Sequence, residues 1–384
     1  MCASHPPVAS GPMRIALVCP YSCTVPGGVQ SQVLGLARAL SSGGDEVAVV
    51  APGARTATVA RLDAAALGGA AFMNVGAASL VSVNGSRAPV SPWPATMART
   101  VSALRSFAPE VVHVHEPVVP GPSLAALVMG PRPVVGTFHR SGADFAYRAY
   151  GHLVAPWARR LDAVFAVSEE ARATALACVG RLTGVIEVIP NGVELRGYES
   201  VERWPTKAPT VAFVGRHEPR KGLGILLDAY GSLPDSTRLW VMGSGPETRA
   251  LKSRYAAQRR IEWLGVVDDE ERAARLKGAD VLVAPSIGGE SFGVVLLEAM
   301  AAGTAVVASD LPGYRLAAGG AARLVPAGDA AALAKAVGDV LLDDAERARL
   351  AERGRRRASE CDMAGVADSY RDAYARLGRQ ARSG

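Results

Sequence analysis

The chain has 384 residues, 49% hydrophobic and 20% charged, which is too long for one ordinary core and too apolar for a disordered chain. Forty-two basic against 36 acidic side chains leave a formal charge of +6. That charge suits an anionic small molecule, an anionic membrane surface or nucleic acid, but aromatics reach only 5% and no basic run is interleaved with Phe or Tyr, which argues against a base-stacking nucleic-acid surface. Five scattered cysteines make no disulfide framework or zinc set and read as buried free thiols of a reducing, cytoplasmic protein. Residues 1–12 lack the apolar centre of a secretory signal, and no uncharged apolar run reaches the ~20 residues of a spanning helix.

From the N-terminus, short apolar runs alternate with amphipathic stretches, the pattern of parallel sheets covered by helices. Strands are expected at residues 14–19, 46–50, 111–115, 134–138, 163–167 and 186–189, with helices such as 28–41 and 168–179 between them. Residues 52–94, rich in Gly, Pro and Ala, give no clear strand pattern. After Asn191 the chain becomes polar and Pro-containing until Pro209, and then the alternation restarts. Strands at 210–214, 238–242, 261–264, 281–285, 305–308 and 321–325 alternate with helices, and helices at 330–342, 345–357 and 365–377 end the chain. This predicts two Rossmann-like α/β domains, at 13–200 and 207–360, with the last helix (365–380) packing back on the first. Ligands in such domains sit beyond the carboxyl ends of the strands, in a cleft.

That rule ranks the polar residues. Gly27-Gly28 follows the first strand and opens the first helix, where glycine permits close approach of a phosphate or sugar to the backbone. No G-x-G-x-x-G follows that strand, against a dinucleotide oxidoreductase. His139 lies just past the strand at 134–138, either as a structural side chain or beside a reacting group. His113 and His115 share one strand face and read as packing and hydrogen-bonding residues, since no third metal ligand has suitable spacing. Arg216, Arg220 and Lys221 follow the strand at 210–214, where two forks and a mobile point charge can hold a departing diphosphate. No D-x-D occurs to bridge a metal to such a group, so no metal is expected. The cluster Arg353, Arg355, Arg356 and Arg357 reads as a solvated helix end.

Glu290, in the glycine-rich run 288–293, is followed eight positions later by Glu298 on an apolar helix. Eight helical residues rise ~12 Å, about the span from the sugar hydroxyls to the ribose hydroxyls of a nucleotide sugar. The helix N-terminus between the two acids offers N–H groups to a pyrophosphate.

In order along the chain, G-G-V at 27–29, T-F-H at 137–139, I-P-N-G-V at 189–193, G-R-H-E-P-R-K-G at 215–222 and the Glu290/Glu298 pair resemble the retaining glycosyltransferases of family 4. The resemblance runs from about Met13 to the last helix. It implies a GT-B fold, α/β, with two Rossmann-like doubly wound domains facing across an interdomain cleft. V-C-P-Y-S at 18–22, V-P-G-G-V-Q-S at 25–31, H-E-P at 115–117 and G-G-E-S-F-G at 288–293 are similar to the branch that moves mannose from GDP-mannose to phosphatidylinositol.

The resemblance further implies roles. Gly28, Arg216, Arg220 and Lys221 hold the diphosphate; Val267, Asp268, Asp269 and Arg272 surround the base. Glu290, Ser291, Phe292, Gly293 and Val294 hold the sugar and phosphate, and Glu298 the ribose. His139 contacts the transferred sugar, while Gln30, Asn84, Gly85 and Ser86 face the inositol phosphate of the acceptor. His139, Arg216, Lys221 and Glu290 form the catalytic group. No cofactor beyond the nucleotide sugar is implied. The helix at 96–107 looks like a membrane-contacting helix at the inner face of the plasma membrane, yet carries only Arg99 and Arg105. At roughly 1 kcal/mol per basic residue, its hold on an anionic leaflet is modest. Two alternatives stay open: a family 4 enzyme using a GDP- or UDP-sugar with another acceptor, and a nucleotide-sugar-binding protein without transferase activity.

Overall fold

The computed structural model describes residues 11–53, 62–63, 66–83, 86–142, 145–180 and 185–383. The chain divides into two compact units, Met1–Gly192 with Met363–Gly384, and Val193–Asp362.

The first unit holds strands β1 (Arg14–Val18), β2 (Glu46–Ala51), β3 (Ala71–Asn74), β4 (Ser79–Val83), β5 (Ser86–Val90), β6 (Val111–His115), β7 (Val134–Phe138), β8 (Ala163–Ala166) and β9 (Ile186–Val188). Seven of them form one parallel sheet in the order β3-β2-β1-β6-β7-β8-β9, and β4 pairs with β5 as an antiparallel hairpin. The strands are apolar on both sides because helices cover both faces. Ile15 and Leu17 pack towards the helices Gly28–Ser42 and Met363–Ser383, while Ala16 and Val18 pack towards Pro94–Phe107, Pro122–Met129 and Phe145–Ala158. The edge strand β3 and the hairpin fall in the stretch whose sequence shows no strand pattern. Four half-exposed residues in β3 and a Pro at position 89 of β5 leave no apolar alternation to read.

The last helix is tied down by buried polar links as well as by packing. Arg371 Nε lies 2.9 Å from Oδ2 of the fully buried Asp45, whose other oxygen accepts the backbone N–H of Met13 at 3.0 Å. Tyr374 OH lies 2.6 Å from Nδ1 of His113, and Arg376 pairs with Glu187 at 3.1 Å on the surface.

The second unit is a six-stranded parallel sheet, order β12-β11-β10-β13-β14-β15, built from β10 (Thr210–Val214), β11 (Arg238–Met242), β12 (Ile261–Gly265), β13 (Val281–Ala284), β14 (Ala305–Ser309) and β15 (Arg323–Val325). Residues 193–207, polar enough to read as a connection, belong to this unit. The helix Asp269–Gly278 holds them. Trp204 N donates to Ala274 O at 3.0 Å, Lys277 Nζ donates to Tyr198 O and Val201 O, and the Arg275 guanidinium stacks 3.8 Å from the Trp204 ring centroid. The arginine cluster of the helix Asp344–Glu360 is not simply solvated. Arg357 donates to Leu316 O and Ala317 O, both at 2.9 Å, and Arg353 donates to Gly320 O, so these side chains satisfy the free carbonyls at the end of the helix Pro312–Ala318.

In both sheets the chain winds outward in two directions from a central pair: β1 and β6 in the first unit, β10 and β13 in the second. The loops leaving those strands are the switch-point loops where α/β proteins bind ligands. Arg371→Ala leaves the Asp45 carboxylate buried without its cation, so stability should drop by about 3 kcal/mol. Equilibrium urea unfolding reads this directly, and an unchanged midpoint contradicts it.

Candidate active site

The densest polar cluster of the second unit lies at its switch point. Gly222 ends the loop after β10 with φ 68°, and a Cβ there would stand 2.0 Å from Pro285 O. Ile287 N donates to Arg220 O at 2.8 Å. The loop after β10 and the loop after β13 are therefore laced backbone to backbone, and the side chains they carry meet. Glu290 Oε1 accepts from Lys221 Nζ at 2.6 Å, from Arg220 Nη1 at 3.2 Å and from Ser286 Oγ at 3.0 Å. The Ser286 hydroxyl also lies 2.8 Å from Tyr314 OH, and both are buried. The Glu290 side chain is only 9% exposed, and these donors offset the cost of taking its carboxyl oxygens out of water.

Sequence reasoning missed Glu218, which is 1% exposed and pairs with Arg216 Nη2 at 2.8 Å and Arg220 Nε at 3.2 Å. Among the described residues the three cations Arg216, Arg220 and Lys221 outnumber the two carboxylates they share, an excess of positive charge suited to an anion. The signal for Glu218 was its place between Arg216 and Arg220 in the same turn. The helix Val294–Ala301 starts beside this cluster. Its N-cap Gly293 has φ 106°, and a Cβ there would meet Tyr314 Cδ1 at 2.5 Å. Without a capping side chain, the first N–H groups of that helix are left for a ligand. Ser291 and Val294 are half-buried around that start, whereas the ring of Phe292 is buried in the core.

Glu298, one turn into that helix, faces a second cluster. Arg272 Nη2 lies 3.3 Å from Glu298 Oε1, and Arg272 Nη1 donates to Asp269 Oδ1 at 2.9 Å. Burial raises the Glu298 carboxyl above its ordinary pKa, against the pull of Arg272. The guanidinium is in turn held charged chiefly by Glu298. Tyr198 joins them, bonded to Arg272 and pushed well up by burial and then by Glu298. Asp268 caps the helix Asp269–Gly278 by accepting from Glu271 N at 2.7 Å, and Val267 packs against the core. Asp268 and Val267 thus shape this corner through local structure.

In the first unit, Gly28 is the exposed first residue of the helix Gly28–Ser42, and a Cβ there would meet nothing within 4 Å. Nothing inside the protein requires glycine at that point. Gln30 is buried and its amide donates to Ser22 O and Val25 O, so it shapes the loop before the helix. Asn84 and Gly85 lie outside the described residues, and Ser86 begins β5, paired with Val83.

His139 is 6% exposed and sits just past β7. Its Nε2 lies 2.8 Å from His115 Nδ1, its backbone N–H donates to the buried Glu116 at 2.7 Å, and Asn191 bonds its ring. Burial depresses the pKa of His113 and His139 to about 3, and that of His115 falls well below the ordinary value. All three rings are neutral at pH 7. Among the described residues no group of three or more His, Cys, Asp or Glu side chains is placed to hold a metal ion. No described helix is long and apolar enough to cross a membrane.

Fold and site define the class: two Rossmann-like units, a glycine-opened helix after the first strand, and a cation–carboxylate cluster at the second switch point are those of GT-B glycosyltransferases. The solved structure of Anabaena Alr3699/HepE in complex with UDP-glucose superposes with a TM-score of 0.72 over 97% of this chain and 100% of that one, at 18% identity. The model for "Glycosyltransferase Family 4" matches residues 26–196, and that for "Glycosyl transferases group 1" matches residues 208–343. The chain is 38% identical over 372 residues to the phosphatidyl-myo-inositol mannosyltransferase of Mycobacterium leprae, covering 94% of this chain and 96% of that protein. It is 38% identical over 373 residues to the protein of the same name from Mycolicibacterium smegmatis, covering 94% and 93%. The chain belongs to glycosyltransferase family 4.

Two outcomes follow. Gly28→Ala should leave stability unchanged or slightly raised, since alanine favours the helix, while calorimetric binding of a nucleotide sugar weakens at least tenfold; unchanged binding removes Gly28 from the donor site. The buried histidines set an acid limit. The folded pKa values of His113 and His139, about 3, lie below the unfolded value near 6.5, and that of His115 is lowered as well, so between pH 6.5 and 3 the unfolded chain takes up protons that at least the first two refuse when folded. Stability should therefore fall as pH drops through that window, by about 1.4 kcal/mol per pH unit per histidine. Urea unfolding at pH 7 and pH 5 measures the slope, and His139→Asn should lower it by one histidine's share.

Proposed function

We propose that this glycosyltransferase moves mannose from GDP-mannose to the inositol of phosphatidylinositol with retention of configuration. The observation that carries the reading is the match to proteins named phosphatidyl-myo-inositol mannosyltransferase, 38% identical along nearly the whole chain. Arg220, Lys221 and Glu290, adjacent in space, stand where a donor with a charged leaving group needs them.

The first switch-point glycine, Gly28, lets the diphosphate approach the backbone, and Arg216, Arg220 and Lys221 take its charge. The backbone N–H groups from Ser291 to Val294, at a helix start that no side chain caps, add to that hold. As the sugar–oxygen bond breaks, negative charge grows on the phosphate, so these cations stabilise the transition state more than the ground state. Glu290, fixed by Lys221, Arg220 and Ser286, accepts from sugar hydroxyls. Glu298 accepts from the ribose hydroxyls, with Arg272, Asp268, Asp269 and Val267 beside the base. His139, neutral at pH 7, contacts the transferred sugar as a hydrogen-bonding group. Retention is read as a front-face displacement in which the leaving phosphate takes the proton of the incoming hydroxyl, and no protein nucleophile or metal is invoked.

Because the acceptor is a membrane lipid, the enzyme works at the cytoplasmic leaflet as a peripheral protein. The outer face of the helix Pro94–Phe107, with Arg99, Arg105 and the 55% exposed Trp93 before it, is the contact assigned to anionic lipid.

The test is transfer from radiolabelled GDP-mannose to phosphatidylinositol vesicles, followed by proton NMR of the anomeric centre. A labelled α-linked glycolipid is expected; transfer only to a soluble acceptor, or an inverted anomer, overturns the reading. Lys221→Ala should lower kcat/KM by roughly a hundredfold to a thousandfold with the circular dichroism of the folded protein unchanged. Near-normal turnover in that variant removes Lys221 from the chemistry.

A further inference from the structure

Three imidazoles form a ladder on one side of the first sheet. His113 and His115 project from β6 at period-two spacing, their ring centroids 4.3 Å apart and nearly parallel at 26°. His139 follows β7, the neighbouring strand, whose Thr137 is the register partner of His115. The bottom of the ladder is fixed on both sides: His113 Nδ1 lies 2.6 Å from Tyr374 OH, and Nε2 lies 2.7 Å from Thr137 Oγ1, which reaches Tyr370 OH at 3.2 Å. At the top, His115 Nδ1 lies 2.8 Å from His139 Nε2, with the ring centroids 5.1 Å apart.

Of two neutral rings sharing one hydrogen bond, one donates and the other accepts. The second nitrogen of His115 decides which. His115 Nε2 is buried, has no hydrogen-bond partner among the described residues, and belongs to a ring lining a small cavity with Gln32, His139, Asn191 and Tyr370. A buried N–H left without an acceptor is rarer than an acceptor left short, so the proton of His115 belongs on Nδ1, where an acceptor waits. Nε2 of His139 is then that acceptor and carries no hydrogen. A neutral imidazole carries one N–H, so the proton of His139 sits on Nδ1, the nitrogen that His115 does not use; the buried Asn191 also bonds this ring. The peptide of His139 is locked independently by Glu116, itself held at φ 50°, so ring plane and backbone are fixed by adjacent residues of β6 and its exit.

We propose that His115 is a positioning residue for His139: it donates Nδ1–H to His139 Nε2 and thereby holds His139 as the Nδ1–H tautomer, making it a hydrogen-bond donor towards the substrate. One N–H can be shared between Asn191 and a sugar oxygen as a three-centre bond. Were His115 to withdraw, His139 would be free to protonate at Nε2 and would offer the sugar a bare acceptor instead. This inference rests on the reading that His139 contacts the transferred sugar.

The experiment combines nitrogen-15 NMR of histidine-labelled protein with kinetics of three variants. In the unsubstituted enzyme, His139, assigned from the spectrum of His139→Phe, should show a protonated Nδ1 and a bare, hydrogen-bonded Nε2. His115→Phe keeps a ring stacked on His113 but removes the donor, and kcat should fall roughly tenfold to a hundredfold while calorimetric binding of GDP is unchanged. In His115→Asn the amide nitrogen takes the place of Nδ1, so most of that loss should be recovered, an outcome that packing alone does not produce. A protonated Nε2 on His139 in the unsubstituted enzyme overturns the proposal, and this readout stands even where His115→Phe fails to fold. So does full activity in His115→Phe, or His115→Asn no better than His115→Phe, beside an inactive His139→Phe. Full activity in His139→Phe instead sinks the role given to His139 under the proposed function.

Discussion

The second unit depends on one ion cluster: the Glu290 carboxylate, nearly out of water, shared between Lys221, Arg220 and Ser286. Each partner comes from a different point of two switch-point loops, and those loops touch backbone to backbone at Gly222 and Pro285. Neither loop can shift without separating opposite charges that are largely withdrawn from water, which is costly when one partner is left behind. Glu218 does the same for Arg216 and Arg220 from below. The cluster is thus pre-assembled, and its cations are oriented before any anion arrives. A diphosphate entering this site meets fixed charges rather than mobile side chains, the condition under which electrostatic stabilisation is most effective.

The first unit uses the opposite chemistry. Its buried polar core is dominated by neutral imidazoles, hydroxyls and amides, with the carboxylates of Asp45 and Glu116, and a chain of contacts through His113, Thr137, His115 and His139 ties it to Tyr370 and Tyr374 of the last helix. Burial keeps the three imidazoles uncharged, because each ring would have to lose its hydration while protonated. Uncharged hydroxyls are the natural partners of such a surface. The Arg371–Asp45 pair and Tyr374 make the C-terminal helix part of this unit's polar core as well as of its apolar one.

Much of this was legible in the sequence, and the reasons are local. The strands at 111–115, 134–138, 210–214 and 238–242 are bounded by turn residues and apolar on both faces, so period and punctuation agree. Arg216, Lys221, Glu290 and Glu298 could be ranked because a candidate just past a strand in a doubly wound sheet falls at the ligand edge. β3 and the β4–β5 hairpin were not legible, being short, half-exposed or interrupted by Pro89. The tethering of residues 193–207 was hidden because Lys277, Arg275 and Ala274, which hold them, lie about seventy positions downstream. Asp268 and Gln30 show a further role that motif spacing does not reveal: their side chains cap a helix and brace a loop.

By itself the sequence determined the two doubly wound sheets, the family resemblance and the residue types gathered for a nucleotide sugar, because each is written in apolar period, glycine placement and motif spacing. Only the tertiary structure decided which charges are shared. That Glu290 belongs to Lys221 and Arg220, Glu298 to Arg272, and His139 to His115 depends on which loops adjoin once the strands are ordered. Strand order is a property of the folded sheet, in which residues some seventy positions apart become hydrogen-bonded neighbours.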